Sequence, residues 1–392
     1  ATCPWGSGAT SGRTRSSERS QTMAVVLSQR ALNRATLARQ MLLERRKATV
    51  VQAIDKLAGL QAQAPNPPYI GLWSRLEGFR RAQLTDALKS RRIVRMSTLR
   101  ATLHLMTAPD AWAWRPLLEP VHQRGLSGLH ARALEGVDRA AVVKAGRALL
   151  GDGPLTGTAL GQALAARWTD HPPASLAALI RNNVPLVHLP PAGSWNSHQN
   201  ALLQPLGDWL GDATAGIATA TQDDLLLRYL AAFGPATLAD AGAWSGLTGW
   251  KAVADRLRPQ LRVFTGDEGQ ELFDLPRAPR PDPDTPAPPR LVAEWDNLLL
   301  SHADRSRVMS EAHRARVFTA NGIVRGTVLL DGFVAGTWKI ERATRTATVV
   351  LEPFTRWSKA DRRGVEEEVL RLLAFAADAE DERHAVRVLS PA

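Results

Sequence analysis

The chain has 392 residues, 44% hydrophobic and 22% charged, enough apolar material for several packed cores and against a disordered or fibrous class. Its 49 Lys and Arg against 38 Asp and Glu leave a formal net charge of +11, which favours an acidic partner such as nucleic acid. A single cysteine (Cys3), nine histidines without His-x-His or His-x-x-x-His spacing, and no run near the roughly 18 apolar residues of a membrane span exclude disulfide frameworks, thiolate metal centres, zinc hydrolases and membrane-spanning classes.

Residues 1–22 are rich in Ser, Gly, Thr and Arg and lack the apolar core of about 7–15 residues that a signal peptide needs. Residues 1–27 therefore read as a disordered tail, with Met23 as the natural start and the cytoplasm as the compartment. From Ser28, the positions Leu32, Thr36, Leu37, Gln40, Met41 and Leu42 recur at helical spacing, and a second helix is predicted from Thr49 to Leu57. The stretch Gly59-Leu60-Gln61-Ala62-Gln63-Ala64-Pro65 follows, where two glutamines take a place usually given to Gly, Asn, Asp or Ser. On local grounds Gln61 and Gln63 are two solvated residues at a helix end. Helices are predicted at Tyr69–Leu76 and Gln83–Ser90, then a strand or hairpin from Ile93 to Met106. That hairpin places Arg100 and His104 on one face with Thr102, as structural residues or as DNA contacts. A helix opens at Pro109 and closes near Pro120.

Asp138–Leu150 is a predicted helix, Thr156 caps another, Pro172-Pro173 leads into a third, and a short strand runs from Leu186 to Leu189. Three helices followed by a short hairpin is the winged-helix order, a variant of helix-turn-helix. The order returns in Gln222–Phe233, Leu238–Trp244, the helix begun by Leu247-Thr248, and a hairpin from Leu261 to Leu275. Gly153-Pro154-Leu155-Thr156 and Gly234-Pro235-Ala236-Thr237 look like copies of one element. Lining Gly59-Leu60 up with Gly246-Leu247 makes the first segment a third copy and puts Gln61 beside Thr248, at the groove-facing turn into a third helix. The expected class is α+β, with three tandem winged-helix units at residues 28–125, which carry the Gln-x-Gln motif, 126–215 and 216–276.

Residues 277–290 form a proline-rich linker, and residues 291–392 a C-terminal unit of β-hairpin and helix. Its strands are expected at Ile323–Leu330, Phe333–Ile340 and Thr346–Leu351, its helix at Ser358–Asp378 and a last strand at His384–Leu389. Here His302, Arg305, Arg307 and Arg316 suggest a phosphate-gripping loop, against the plainer reading of a solvated charged segment. Trp338, Lys339, Arg342 and Arg345 lie in a hairpin with a basic tip that could grip phosphates or enter a groove. No P-loop, dinucleotide glycine pattern or Gly-x-Ser-x-Gly is present.

The phrases Leu32-Asn33-Arg34-Ala35-Thr36, Leu57-Ala58-Gly59-Leu60-Gln61-Ala62-Gln63, Arg100-Ala101-Thr102-Leu103-His104-Leu105, Glu294-Trp295-Asp296-Asn297-Leu298-Leu299 and Asp331-Gly332-Phe333-Val334-Ala335-Gly336-Thr337-Trp338 occur in order along the chain. As a set they resemble the AlkZ-type DNA glycosylase family over about residues 28–390. The resemblance implies three winged helices around a concave channel. It also implies excision of N7-alkylated purines from double-stranded DNA, with bulky antibiotic adducts and interstrand crosslinks among the substrates, in repair or self-resistance. The family's Gln–apolar–Gln pattern falls on Gln61, Ala62 and Gln63. An N7-alkylated purine is already cationic, so its glycosidic bond breaks through an oxocarbenium-like state without a strong acid. A neutral glutamine is no general base, but its carbonyl can hold the attacking water or place negative dipole beside the sugar cation. The enzyme expected is a monomer without metal or cofactor. The competing readings are a non-catalytic winged-helix regulator or architectural factor, and a protein that sequesters the alkylating drug itself.

Overall fold

Helix starts follow local side-chain chemistry throughout the chain. Ser28, Thr49, Thr156, Thr221, Thr237 and Ser358 each accept a hydrogen bond from a backbone N–H in the first turn of the helix they precede. At Thr49, Thr221 and Thr237 the third helical residue returns the bond and completes a capping box. The structure, a computed structural model, describes residues 25–377 apart from Ser127 and Thr344, and residues 383–391; the readings of residues 1–22, Cys3 and Met23 fall outside them.

In chain order the elements are β1 (Val26–Leu27), α1 (Gln29–Arg39), α2 (Val50–Lys56), β2 (Leu60–Gln61), α3 (Pro67–Trp73), α4 (Arg81–Lys89), β3 (Ile93–Ser97) and β4 (Leu103–Thr107). The next helices are α5 (Ala108–Trp114), α6 (Glu119–Gly125) and α7 (Leu129–Ala133). Then come α8 (Arg139–Gly151), β5 (Leu155–Thr156), α9 (Gly157–Ala165), α10 (Pro173–Asn183), β6 (Leu186–His188), β7 (Leu202–Pro205) and α11 (Leu206–Leu210). A third set follows with α12 (Gln222–Phe233), α13 (Leu238–Ser245), α14 (Trp250–Leu257), β8 (Arg262–Gly266) and β9 (Glu271–Asp274). The C-terminal part holds β10 (Arg290–Val292), α15 (Asn297–Leu300), α16 (Glu311–Val317), β11 (Gly326–Leu330), β12 (Phe333–Ala343), β13 (Thr346–Pro353), α17 (Lys359–Ala376) and β14 (Arg383–Val388).

The order helix–strand–helix–helix–strand–strand occurs as α2-β2-α3-α4-β3-β4 and again as α8-β5-α9-α10-β6-β7. The set from α12 to β9 has the same order, with a single bridge from Ala236 to Phe273 in place of the first strand. Met96 pairs with Val187, so the first two sheets fuse into one of six strands, ordered β2-β4-β3-β6-β7-β5. β1 joins β8 and β9, and the C-terminal sheet runs β10-β11-β12-β13-β14.

This pairing corrects the alignment of the repeats. Leu60 and Gln61 face Leu105 and His104, just as Leu155 and Thr156 face Leu203 and Leu202. Gln61 thus corresponds to Thr156 and lies on the repeat's first strand, away from the turn into a third helix. Gly59 and Gly246 misled because both are left-handed glycines just after a helix, at φ +94° and +81°, but they end different helices of the repeat. Two further elements differ from expectation. Pro120 sits in the first turn of α6 and opens that helix, and β7 returns from the loop after β6.

One apolar core is confined to the second repeat, from Leu134 to Leu203. The core beneath β2 instead continues into the C-terminal unit, joining Leu60, Ala62 and Tyr69 to Leu351, Val365 and Leu372. α1 belongs with neither: its Arg39 forms a buried pair with Asp274 at 2.7 and 2.8 Å, and Gln40 donates to the Ala232 carbonyl of α12. The proline-rich stretch after β9 is strapped down, with Arg34 Nε donating to the carbonyl of Thr285. Among the described residues no helix is long and apolar enough to cross a membrane.

Candidate active site

β2 and the two residues after it, still tied to Leu103 by Ala62 and Gln63, turn Gln61 and Gln63 outward and Leu60 and Ala62 inward. The sequence obeys this, since Leu60 and Ala62 are buried in the core while Gln63 is exposed and Gln61 retains 8% of its surface. The backbone of the motif is fixed from three directions. Ala62 donates its N–H to the Leu103 carbonyl at 2.7 Å, Arg95 donates twice to the Ala62 carbonyl at 3.0 and 2.9 Å, and Asn297 Nδ2 donates to the Gly59 carbonyl at 2.7 Å. The glycine at position 59 is required: its φ is +94°, and a Cβ there would lie 2.5 Å from the sulfur of Met106.

The side chains are held as well. Gln61 Oε1 accepts from Arg100 Nη2 at 2.7 Å, and Gln63 Oε1 accepts a long bond of 3.4 Å from the Leu103 N–H. Arg100 and Ala101 sit in the turn between β3 and β4, both at φ +55°. Two non-glycine residues in the left-handed region store roughly 1 kcal/mol or more each. That turn carries the guanidinium back over Gln61 while Nη1 donates to the Trp244 carbonyl of α13. Burial and the charge of Arg305 pull Arg100 down to about 10, which leaves it cationic at neutral pH. His104, opposite Gln61 in the register, is fully buried, and its Nδ1 lies 2.9 Å from the Thr102 carbonyl. The proton therefore sits on Nδ1, and the Nε2 lone pair has no donor among the described residues. Burial, with the Arg100 charge, lowers this imidazole to about 3, so it stays neutral.

The structure thus gathers Gln61, Gln63, Arg100 and His104 around β2 and β4, with Arg305 near enough for its charge to act on Arg100. Several expected DNA contacts are corrected by burial, because side chains sealed inside the fold offer DNA no surface. His104 is one. His302 faces the Phe233 carbonyl at 3.1 Å, Arg307 donates to the Pro235 carbonyl at 2.8 Å, and Trp338 Nε1 donates to the Val292 carbonyl at 3.0 Å. Each satisfies a buried carbonyl, a structural task. Arg305 and Arg316 are half-buried, stacked on Phe318 and Phe354 at 4.9 and 4.2 Å. Lys339, Arg342 and Arg345 are exposed. Lys339 pairs with Glu341 at 2.7 Å and Arg342 donates to the Ala376 carbonyl. Their hairpin is not a free finger, because β14 runs beside β13 from Thr346 onward.

Sequence reasoning passed over Arg95 and gave Asn297 no role. A cation within the apolar run Ile93–Met96 was the available signal for Arg95, since a charge is buried there only to serve a partner. Asn297 lies in a recognisable phrase, but nothing in that phrase points back to Gly59.

A cleft reaches Leu103, the residue whose backbone N–H meets Gln63. One cavity of about 300 Å³ is lined by Ser97, Leu103, His130, Arg181 and His188. It shares His130, Arg181 and His188 with a second, of about 590 Å³, walled by Gly157, Pro173, Ala177 and Leu203. His188 is tied to the motif through Arg95, whose Nη1 lies 3.1 Å from its Nδ1. Burial together with Arg95 and Arg181 lowers His188 to about 3, so its ring is neutral. Among the described residues no group of three or more His, Cys, Asp or Glu is placed to hold a metal ion.

A family model described as DNA glycosylase AlkZ-like matches residues 54–375, which include the whole cluster around β2. An interstrand DNA cross-link repair glycosylase of Streptomyces sahachiroi is 24% identical over 360 residues, covering 85% of this chain and 92% of that protein. The solved structure of Streptomyces sahachiroi DNA glycosylase AlkZ aligns with a TM-score of 0.74 at 20% identity, over 93% of this chain and 100% of that one, a likeness of fold.

Proposed function

The chain belongs to the AlkZ-like DNA glycosylase family, and on that premise we propose that it hydrolyses the glycosidic bond of N7-alkylated purines in double-stranded DNA. The observation that carries this reading is the family match running through a Gln-Ala-Gln segment, at the end of β2, whose backbone and side chains are both held in place. Gln61 and Gln63 are the catalytic pair. Neutral amides suit a leaving group that is already a cation, and neither can form a Schiff base, which makes the enzyme monofunctional. The three recurring sets of elements are winged helices around a DNA channel, and Arg305, Arg316, Lys339, Arg342 and Arg345 supply phosphate contacts from its walls. The cleft that reaches Leu103 favours bulky adducts and crosslinked bases as substrates, in line with the Streptomyces relative, an interstrand DNA cross-link repair glycosylase. The enzyme works as a monomer on chromosomal DNA and protects a cell from alkylating toxins.

The test is incubation with a duplex carrying 7-methylguanine or a bulkier N7 adduct, followed by alkaline cleavage at abasic sites. Strand breaks at the modified guanine are expected. Tight binding with no breaks would leave a non-catalytic DNA-binding protein, and capture of the free drug without DNA binding would mark a sequestering protein.

A further inference from the structure

Arg100 decides which end of the Gln61 amide is offered to a substrate. A guanidinium only donates, so the atom 2.7 Å from its Nη2 is the carbonyl oxygen of Gln61. The amide is planar, and with Oε1 turned toward Arg100 the Nε2 group faces the other way. Among the described residues nothing accepts its protons, and the nitrogen is not one of the sealed, unpartnered atoms, so it keeps an open edge. Gln63 is the opposite case: an exposed side chain whose carbonyl meets only a 3.4 Å contact and keeps a free lone pair.

We propose that Arg100 is a positioning residue that presents Gln61 as a hydrogen-bond donor to the departing purine, leaving Gln63 as the acceptor that holds the attacking water. The proposal rests on the glycosylase reading and divides the work of its two amides. When the C1′–N9 bond breaks, its electron pair passes to N9 and cancels the charge of the alkylated ring, and the adjacent N3 becomes the richer acceptor. The water oxygen bonds to C1′ while Gln63 Oε1 accepts a hydrogen bond from one of its hydrogens, and the released proton passes to bulk water rather than to the amide. A cation behind Gln61 Oε1 polarises the amide and strengthens its N–H groups as donors. The same cation would repel a growing sugar cation, so an Arg-backed amide helps on the leaving-group side and hinders on the sugar side. The orientation is built into the fold: two left-handed residues aim Arg100, and the Trp244 carbonyl holds its second nitrogen.

Single-turnover release of 7-methylguanine is compared with release of its 3-deaza analogue, which lacks the N3 acceptor, each corrected for spontaneous loss. Wild-type protein should lose about tenfold in enzymatic acceleration with the 3-deaza base. Gln61→Glu keeps the partner of Arg100 but has no N–H to donate. It should fold as wild type by thermal melting, fall about 100-fold on 7-methylguanine, and become insensitive to the 3-deaza change. Arg100→Met should behave similarly, with partial rescue in Arg100→Lys. Undiminished Gln61→Glu activity, or equal 3-deaza sensitivity in wild type and variants, overturns the proposal. If wild-type protein releases no 7-methylguanine at all, the glycosylase reading itself has failed.

Discussion

Asn297 donates from Nδ2 to the carbonyl of Gly59 at 2.7 Å, across 238 positions of sequence, and so pins the turn that launches β2 and the Gln61–Gln63 segment. Both groups are buried. Asn297→Ala should leave the Gly59 carbonyl unpaired at a cost of about 1–3 kcal/mol. Denaturant unfolding should show this loss, and single-turnover excision should slow while DNA affinity holds. Wild-type stability and rate would mean that the turn is fixed by Arg95 and β4 alone.

Gln61 and Gln63 should separate in their effects on stability. Gln61→Ala removes one of the two hydrogen-bond partners of the half-buried Arg100 guanidinium and should cost about 1–3 kcal/mol. Gln63→Ala removes an exposed side chain and should stay within about 0.5 kcal/mol. Each should lower single-turnover release of 7-methylguanine by about 100-fold. Full activity in both variants would remove the glutamines from the mechanism.

The repeats show what was legible in the sequence and what was not. α12, α13 and α17 follow from apolar spacing and capping residues, and the Thr156 and Thr237 phrases announce equivalent positions. β2 has two residues, too short to leave an alternation, so only its pairing with β4 reveals where Gln61 stands. Burial was the other blind spot. His302, Arg307 and Trp338 read as a basic, aromatic surface, and nothing local shows that each faces a backbone carbonyl inside the fold.

Among the described residues four histidines, three buried and one half-buried, make stability depend on pH. His104, His122, His188 and His302 are each lowered to about 3, chiefly by burial, against about 6.5 in an unfolded chain. Between these values the unfolded chain binds protons that the folded chain refuses. Stability is therefore intact above about pH 6.5 and is lost as pH falls toward 3, by up to about 1.4 kcal/mol per pH unit for each histidine. Asp110 and Glu294, whose carboxyls burial pushes up, act in the opposite sense and reduce the net slope. Urea midpoints should fall steeply from pH 6.5 to 4.5; a flat profile would contradict the neutral state of these rings.

The exposed cations of the β12–β13 hairpin predict salt-dependent binding. Replacing Lys339, Arg342 and Arg345 together by Ala should weaken duplex affinity equally for damaged and undamaged DNA. The slope of log affinity against log salt should drop by roughly 0.9 per lost phosphate contact. An unchanged slope would place the DNA backbone on another face.

The cleft should separate substrates by size. Its larger part, about 590 Å³, is in the range that holds a drug-sized group, and its narrower part reaches Leu103, whose N–H touches Gln63. A base swung toward the glutamines could lodge the bulk of its adduct there, whereas 7-methylguanine would leave it empty. Ala177→Trp on α10 should fill the larger part and slow release of a bulky N7 adduct at least tenfold, with little change for 7-methylguanine. Ala201→Trp, from the other wall, should act in the same direction and guards against a local packing fault at one site. Equal loss on both substrates would signal damage to the fold, and equal retention would mean that bulky adducts leave by the open side of the channel.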